Sequence, residues 1–141
     1  MVFNTTYNNE EYKIESTGLV GKKFTLLQRI KQGGIGSSRL IIYKTSPKLN
    51  LGKLKFSELD YGNIELRPKG VIVHYTCKLE RFSWIIPYYR LVIYNAQSFS
   101  IHANGNFIQF LKNKNYIENK KFIDRMVQLK NDFLQLEYYD Y

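Results

Sequence analysis

The chain predicts a mainly β fold with one C-terminal α-helix: an antiparallel arrangement of about seven or eight strands, as a small barrel or two packed sheets, capped by an amphipathic helix. Three observations predict it. Alternating apolar and polar residues recur through the middle of the chain, bounded by turn signals at short spacing. The stretch Phe82 to Tyr94 carries a single charge, Arg90, and is dense in β-branched and aromatic side chains, interrupted by Pro87. From Phe122 to Leu136 the apolar positions switch to a three- and four-residue spacing.

The length of 141 residues is that of one ordinary domain. An apolar share of 44% with 23% charged residues is globular, and no apolar run approaches the roughly 20 residues that span a bilayer. The start of the chain is polar and lacks the basic and apolar regions of a secretory signal, so a cytoplasmic protein is expected. Cys77 is the only cysteine, which excludes an internal disulfide and a thiolate metal cluster within one chain. No cofactor or metal is expected. The twelve tyrosines do not by themselves argue base stacking, because Tyr, Asn, Lys, Ile and Phe share A- and T-rich codons.

In chain order, residues 1–17 read as a polar lead and 18–141 as a single domain. Phe24, Leu26 and Ile30 alternate with Thr25 and Arg29, predicting a strand near 22–30. The glycine-rich run 32–38 lacks the Gly-Lys-Ser/Thr ending of a P-loop and leads into the strand-like Arg39 to Tyr43, so it reads as a flexible hairpin loop. After the turn at Ser46-Pro47-Lys48, residues 53–57 alternate strictly, with Leu54 and Phe56 inward and Lys53 and Lys55 outward.

Ile64 and Leu66 alternate with Glu65 and Arg67 up to a turn at Arg67-Pro68-Lys69-Gly70. The return strand places Val71, Val73, Tyr75, Cys77 and Leu79 on a core face. His74 falls on the other face and reads as a surface histidine. Pro87 divides the central stretch into strands near 83–88 and 90–95. Asn104-Gly105 predicts a type I′ hairpin pairing Ala103 with Asn106, Ile101 with Ile108 and Phe99 with Phe110. His102 and Phe107 then face each other on the outer side, a candidate surface contact. A helix over 116–137, with Asn115 as N-cap, closes the pattern and should pack through Phe122, Met126 and Phe133.

The net charge is +9, and its distribution is uneven. Between Glu15 and Glu58 stand nine basic residues and no acidic one. Lys23, Lys31, Arg39, Lys53 and Lys55 are expected to form an anion-binding rim beside the 32–38 loop, recognising phosphate by charge rather than reading bases. The order of elements over 22–136 resembles the pleckstrin-homology-like superfold, including its bacterial members. That resemblance rests on topology: the helix lacks the tryptophan many eukaryotic members carry, and the basic residues near the first strand do not have the inositol-phosphate spacing. The leading functional reading is a non-enzymatic protein-interaction or scaffold domain. The alternative is an anionic-ligand module contacting phospholipid headgroups or nucleic-acid phosphate. An enzyme comes third, since no paired carboxylates, nucleophile elbow or metal-spaced histidines are present.

Overall fold

A computed structural model describes residues 1–31, 33–49, 60–77 and 80–139. Eight antiparallel strands form one sheet: β1 (Val2–Asn4), β2 (Leu40–Thr45), β3 (Tyr61–Arg67), β4 (Gly70–Cys77), β5 (Glu80–Pro87), β6 (Val92–Asn95), β7 (Phe99–Ala103) and β8 (Asn106–Phe110). Their spatial order is β1-β5-β4-β3-β2-β8-β7-β6, and the described sheet is open, with β1 and β6 at its edges. β2 belongs to both halves, and its register on β8 shifts between Ile42 and Lys44, a bulge of the kind that lets one strand bend from one half into the other. The described strands therefore do not form a closed barrel. The alternating strand at 53–57 lies outside the described residues.

The core lies on the inner face. Ile64 and Leu66, Val71, Val73, Tyr75 and Cys77, then Phe82, Trp84 and Ile86, and finally Phe99, Ile101, Ile108 and Phe110 all point into it. The hairpin registers follow the expected pairs, including Ile101 with Ile108 and Phe99 with Phe110. Asn104 and Gly105 take φ of 53° and 79°, the positive pair a type I′ turn requires. Pro87 ends β5, and the 3-10 turn Tyr88–Arg90 carries the chain to β6. Gly70 is needed for close approach: a Cβ there would overlap the Ile86 carbonyl oxygen and the Val20 side chain.

The helices depart most from expectation. Residues 1–17 are not merely a lead, because β1 pairs with β5 and α1 (Glu10–Val20) lies on the outer face of β4 and β5. Asn9 caps α1 by accepting from the Tyr12 amide, and Gly21 ends it at φ 88°. Tyr12, Ser16, Leu19 and Val20, spaced as one helical face, turn toward the sheet. The expected strand at 22–30 is instead α2 (Leu26–Lys31). Thr25 and Gln28 exchange hydrogen bonds between side chain and amide, a capping box that outweighs the two-residue alternation.

The single helix expected over 116–137 is two, α3 (Lys114–Glu118) and α4 (Lys120–Tyr139). Asn113, rather than Asn115, caps α3. The break falls at Asn119, which is buried and turns its side chain out of the helix to accept from the Ser38 amide at 2.9 Å and donate to the Asn115 carbonyl at 2.8 Å. α4 packs on the core through Phe122, Ile123 and Met126, with Phe133 against Tyr88 at a ring separation of 5.6 Å. No described helix is long and apolar enough to cross a membrane.

Candidate functional site

The outer face of the β1-β5-β4-β3 half grades from apolar to polar. Under α1 lie Ile72 and Ile85, packed with Val20, Tyr12 and Leu19 of the helix and with Phe3. Beside this cluster runs a connected polar chain. Arg67, 3% exposed, donates from Nη1 to the Gly21 carbonyl at 2.8 Å and from Nε to Glu65. α1 has no basic residue in its last turn, so the sheet supplies the cation that its C-terminal end favours. The other Glu65 oxygen accepts from His74 Nε2 at 2.9 Å, which leaves His74 Nδ1 to pair with Ser83 Oγ at 2.7 Å. Ser83 in turn bonds Thr5 Oγ1 at 2.7 Å.

Burial would raise the Glu65 pKa, but the hydrogen bonds from His74 and Arg67, with their charges, bring it down to about 2. His74 thus lies on the outer face that its strand parity predicts, but it is half-buried and held between Glu65 and Ser83 rather than free at the surface. The Ser83–His74–Glu65 chain has the residue types of a nucleophilic triad, yet Ser83 is fully buried and held by Thr5. A substrate cannot reach it in this arrangement. Its physical role is to join β1, β3, β4, β5 and the end of α1.

Where the covered part of this face ends, a cavity of about 240 Å³ opens between Arg39, Tyr61, Asn63, His74, Tyr75, Thr76 and Arg81. The Arg39 guanidinium lies 4.1 Å from the centre of the Tyr61 ring, which orients the fork. Thr76 Oγ1 accepts from the Tyr61 amide at 3.1 Å and fixes that wall. Arg81 is placed by its backbone, whose amide donates to Thr6 Oγ1 at 2.9 Å and whose carbonyl accepts from the Thr5 amide at 2.8 Å. Among the described residues, neither arginine has a carboxylate partner.

The expected rim is only partly gathered. Arg39 enters the cavity, whereas Lys23 precedes α2 and Lys31 ends it, and neither lines the cavity. Lys53 and Lys55 lie outside the described residues. The 32–38 run is not a flexible hairpin loop in its described part. Leu66 donates to the Ile35 carbonyl at 2.7 Å, Ser37 to the Ile64 carbonyl at 2.9 Å, and Arg125 Nη1 to the Gly34 carbonyl at 2.7 Å. Arg81 escaped notice in the sequence because it stands at the start of a strand known mainly for its apolar residues. Its distance in sequence from Arg39 gives no local signal.

His102 and Phe107 do meet on the outer face of the other half. Their rings stack at 5.4 Å, and Tyr94 approaches His102 edge-on at 4.7 Å. Burial lowers the His102 pKa. Tyr94 and Val92 are both exposed beside this array.

Comparison with known proteins finds no matching family model, curated protein or solved structure.

Proposed function

We propose that the protein is a non-catalytic binding domain of pleckstrin-homology-like architecture that holds a phosphate-type anion in the Arg39–Arg81 cavity. The observation that carries this reading is two arginines, Arg39 just before β2 and Arg81 in β5, lining one cavity with Asn63 and Thr76, with no carboxylate paired to either among the described residues. Guanidinium forks suit phosphate geometry, and charge-assisted bonds supply affinity that a lone surface lysine does not. The architectural part is supported by the two antiparallel meanders, β2 to β5 and β6 to β8, by β2 serving both halves, and by α4 packed against the core. A second reading, protein interaction, is favoured by the Tyr94–His102–Phe107 array on the bare outer face.

Calorimetric titration with inorganic phosphate, glycerol phosphate and a nucleoside monophosphate tests the cavity and separates a lipid-headgroup source from a nucleotide one. Binding should weaken with salt and fall about tenfold in Arg39→Ala or Arg81→Ala. Arg39→Lys should also lose affinity, because a lysine keeps the charge but not the planar fork. A Lys120→Glu, Lys121→Glu control should bind as the parent does. Absence of phosphate binding at low salt, or equal binding by the arginine variants, overturns the reading.

A further inference from the structure

The short helix α2 presents apolar residues where none are needed for folding. Leu26, Leu27 and Ile30 are 72%, 74% and 67% exposed. At one- and four-residue offsets they occupy one side of the helix. Exposed Lys22 and Lys23 precede it and exposed Lys31 ends it.

The helix is also held in place. Phe24 packs against the core, and Arg29 Nε donates to its carbonyl at 3.2 Å. The Thr25–Gln28 capping box closes one end. At the other end the Gly33 and Gly34 amides bond the Ile30 and Arg29 carbonyls at 3.1 and 2.9 Å, with φ of 72° and 108°. Arg125 then ties the Gly34 carbonyl to α4. The apolar tip is preformed, which lowers the ordering cost of whatever it enters.

We propose that α2 is a docking element for an anionic lipid bilayer: Leu26, Leu27 and Ile30 enter the headgroup boundary while Lys22, Lys23 and Lys31 lie against the lipid phosphates. Size and charge select this occupant. Three side chains fall far short of the roughly 1,600 Å² of a standard protein interface, whereas a few inserted apolar groups with adjacent cations suffice at a membrane surface. The surrounding 16–57 segment carries nine basic residues and no acidic one, which complements an anionic surface. α2 contributes no residue to the Arg39–Arg81 cavity, so this inference does not depend on that site.

The test is co-sedimentation of the full chain with phosphatidylcholine vesicles with and without phosphatidylserine, at low and physiological salt. The protein should sediment with the phosphatidylserine vesicles in a salt-sensitive way. A Leu26→Ser, Leu27→Ser variant should partition at least roughly tenfold less, and Lys22→Glu, Lys23→Glu should also reduce binding. These side chains are exposed, so the melting temperature should hold and exclude unfolding as the cause. Ile117→Ser, at an equally exposed apolar position of α3, should keep vesicle binding, separating this surface from exposed apolar residues in general. Failure of the parent chain to sediment, or equal binding by the leucine variant, overturns the proposal. It is equally overturned if light scattering finds a dimer that the leucine variant abolishes while vesicle binding is unchanged, since α2 is then a contact between copies.

Discussion

The two halves of the sheet share a core but treat their outer faces in opposite ways. On the β1-β5-β4-β3 half, α1 covers Ile72 and Ile85, and a largely covered chain from Arg67 through Glu65 and His74 to Ser83 stitches three strands and a helix end together. On the β8-β7-β6 half, the outer positions Val92, Tyr94, His102 and Phe107 form a partly exposed aromatic surface. The first face is committed to holding the fold. The second retains surface for contact, and the candidate anion cavity lies where the cover of the first face gives out.

The comparison breaks most sharply at Arg67. Arg67→Ala leaves the half-buried Glu65 with only His74 as partner and removes the charge at the end of α1, so urea unfolding should report a loss of about 2–4 kcal/mol. Tyr94→Ser on the other half should change stability by only about 0.5 kcal/mol, as exposed positions do. Similar losses from the two substitutions would show that the halves are not differently committed.

Acid sharpens the same contrast. The Glu65 pKa is about 2 in the folded chain against an ordinary 4.5, so the folded state favours its charged form. Its contribution is complete above the unfolded value and is lost as pH falls from about 4.5 toward 2, amounting to roughly 2–3 kcal/mol. Measured against pH by urea unfolding, the parent chain should lose this increment and Glu65→Gln should lack it. A parallel pH dependence in both proteins would remove Glu65 as the source.

The halves also differ in how plainly their sequences announce them. The 99–110 hairpin was legible because its information is local: Asn104-Gly105 sets the turn, and the parity of Phe99, Ile101, Ile108 and Phe110 then sets every partner. The outer face of β3, β4 and β5 was not legible in that way. Glu65, His74 and Ser83 stand at alternating positions that would be surface if nothing covered them, and what covers them comes from the chain start. α1 itself is disguised by Ser16 in the middle of its inward stripe of Tyr12, Leu19 and Val20. Thr25 and Gln28 did carry a readable capping signal, but it competed with the alternation of Phe24, Leu26 and Ile30. Of the candidate site, Arg39 stood out by charge alone, while Arg81 became relevant only when β2, β3, β4 and β5 aligned.

The local character of the bare half can be broken at its turn. Gly105 has φ of 79°, where a β-branched residue is strained, so Gly105→Val should cost about 1–3 kcal/mol. Hydrogen exchange should rise along 99–110 and leave the amides of β4 and β5 near their parent protection. Uniformly faster exchange in both halves would mean that the hairpin is not a separable unit.

The smallest effect concerns His102, the titrating group of the bare face. Burial between Tyr94 and Phe107 disfavours the imidazolium and lowers the pKa below its ordinary 6.5. A folded state that prefers neutral His102 is favoured above the unfolded pKa and loses that preference as pH falls through 6.5 toward the folded value. Phe107→Ser removes one of the enclosing rings and readmits water, so NMR titration of the His102 ring should place its pKa nearer 6.5 than in the parent chain. Because His102 bonds only Ser100 among the described side chains, at 3.0 Å, this shift should leave the Glu65 acid transition where it was. A coupled movement of both titrations would join the two faces into one electrostatic unit and cancel the distinction drawn between them.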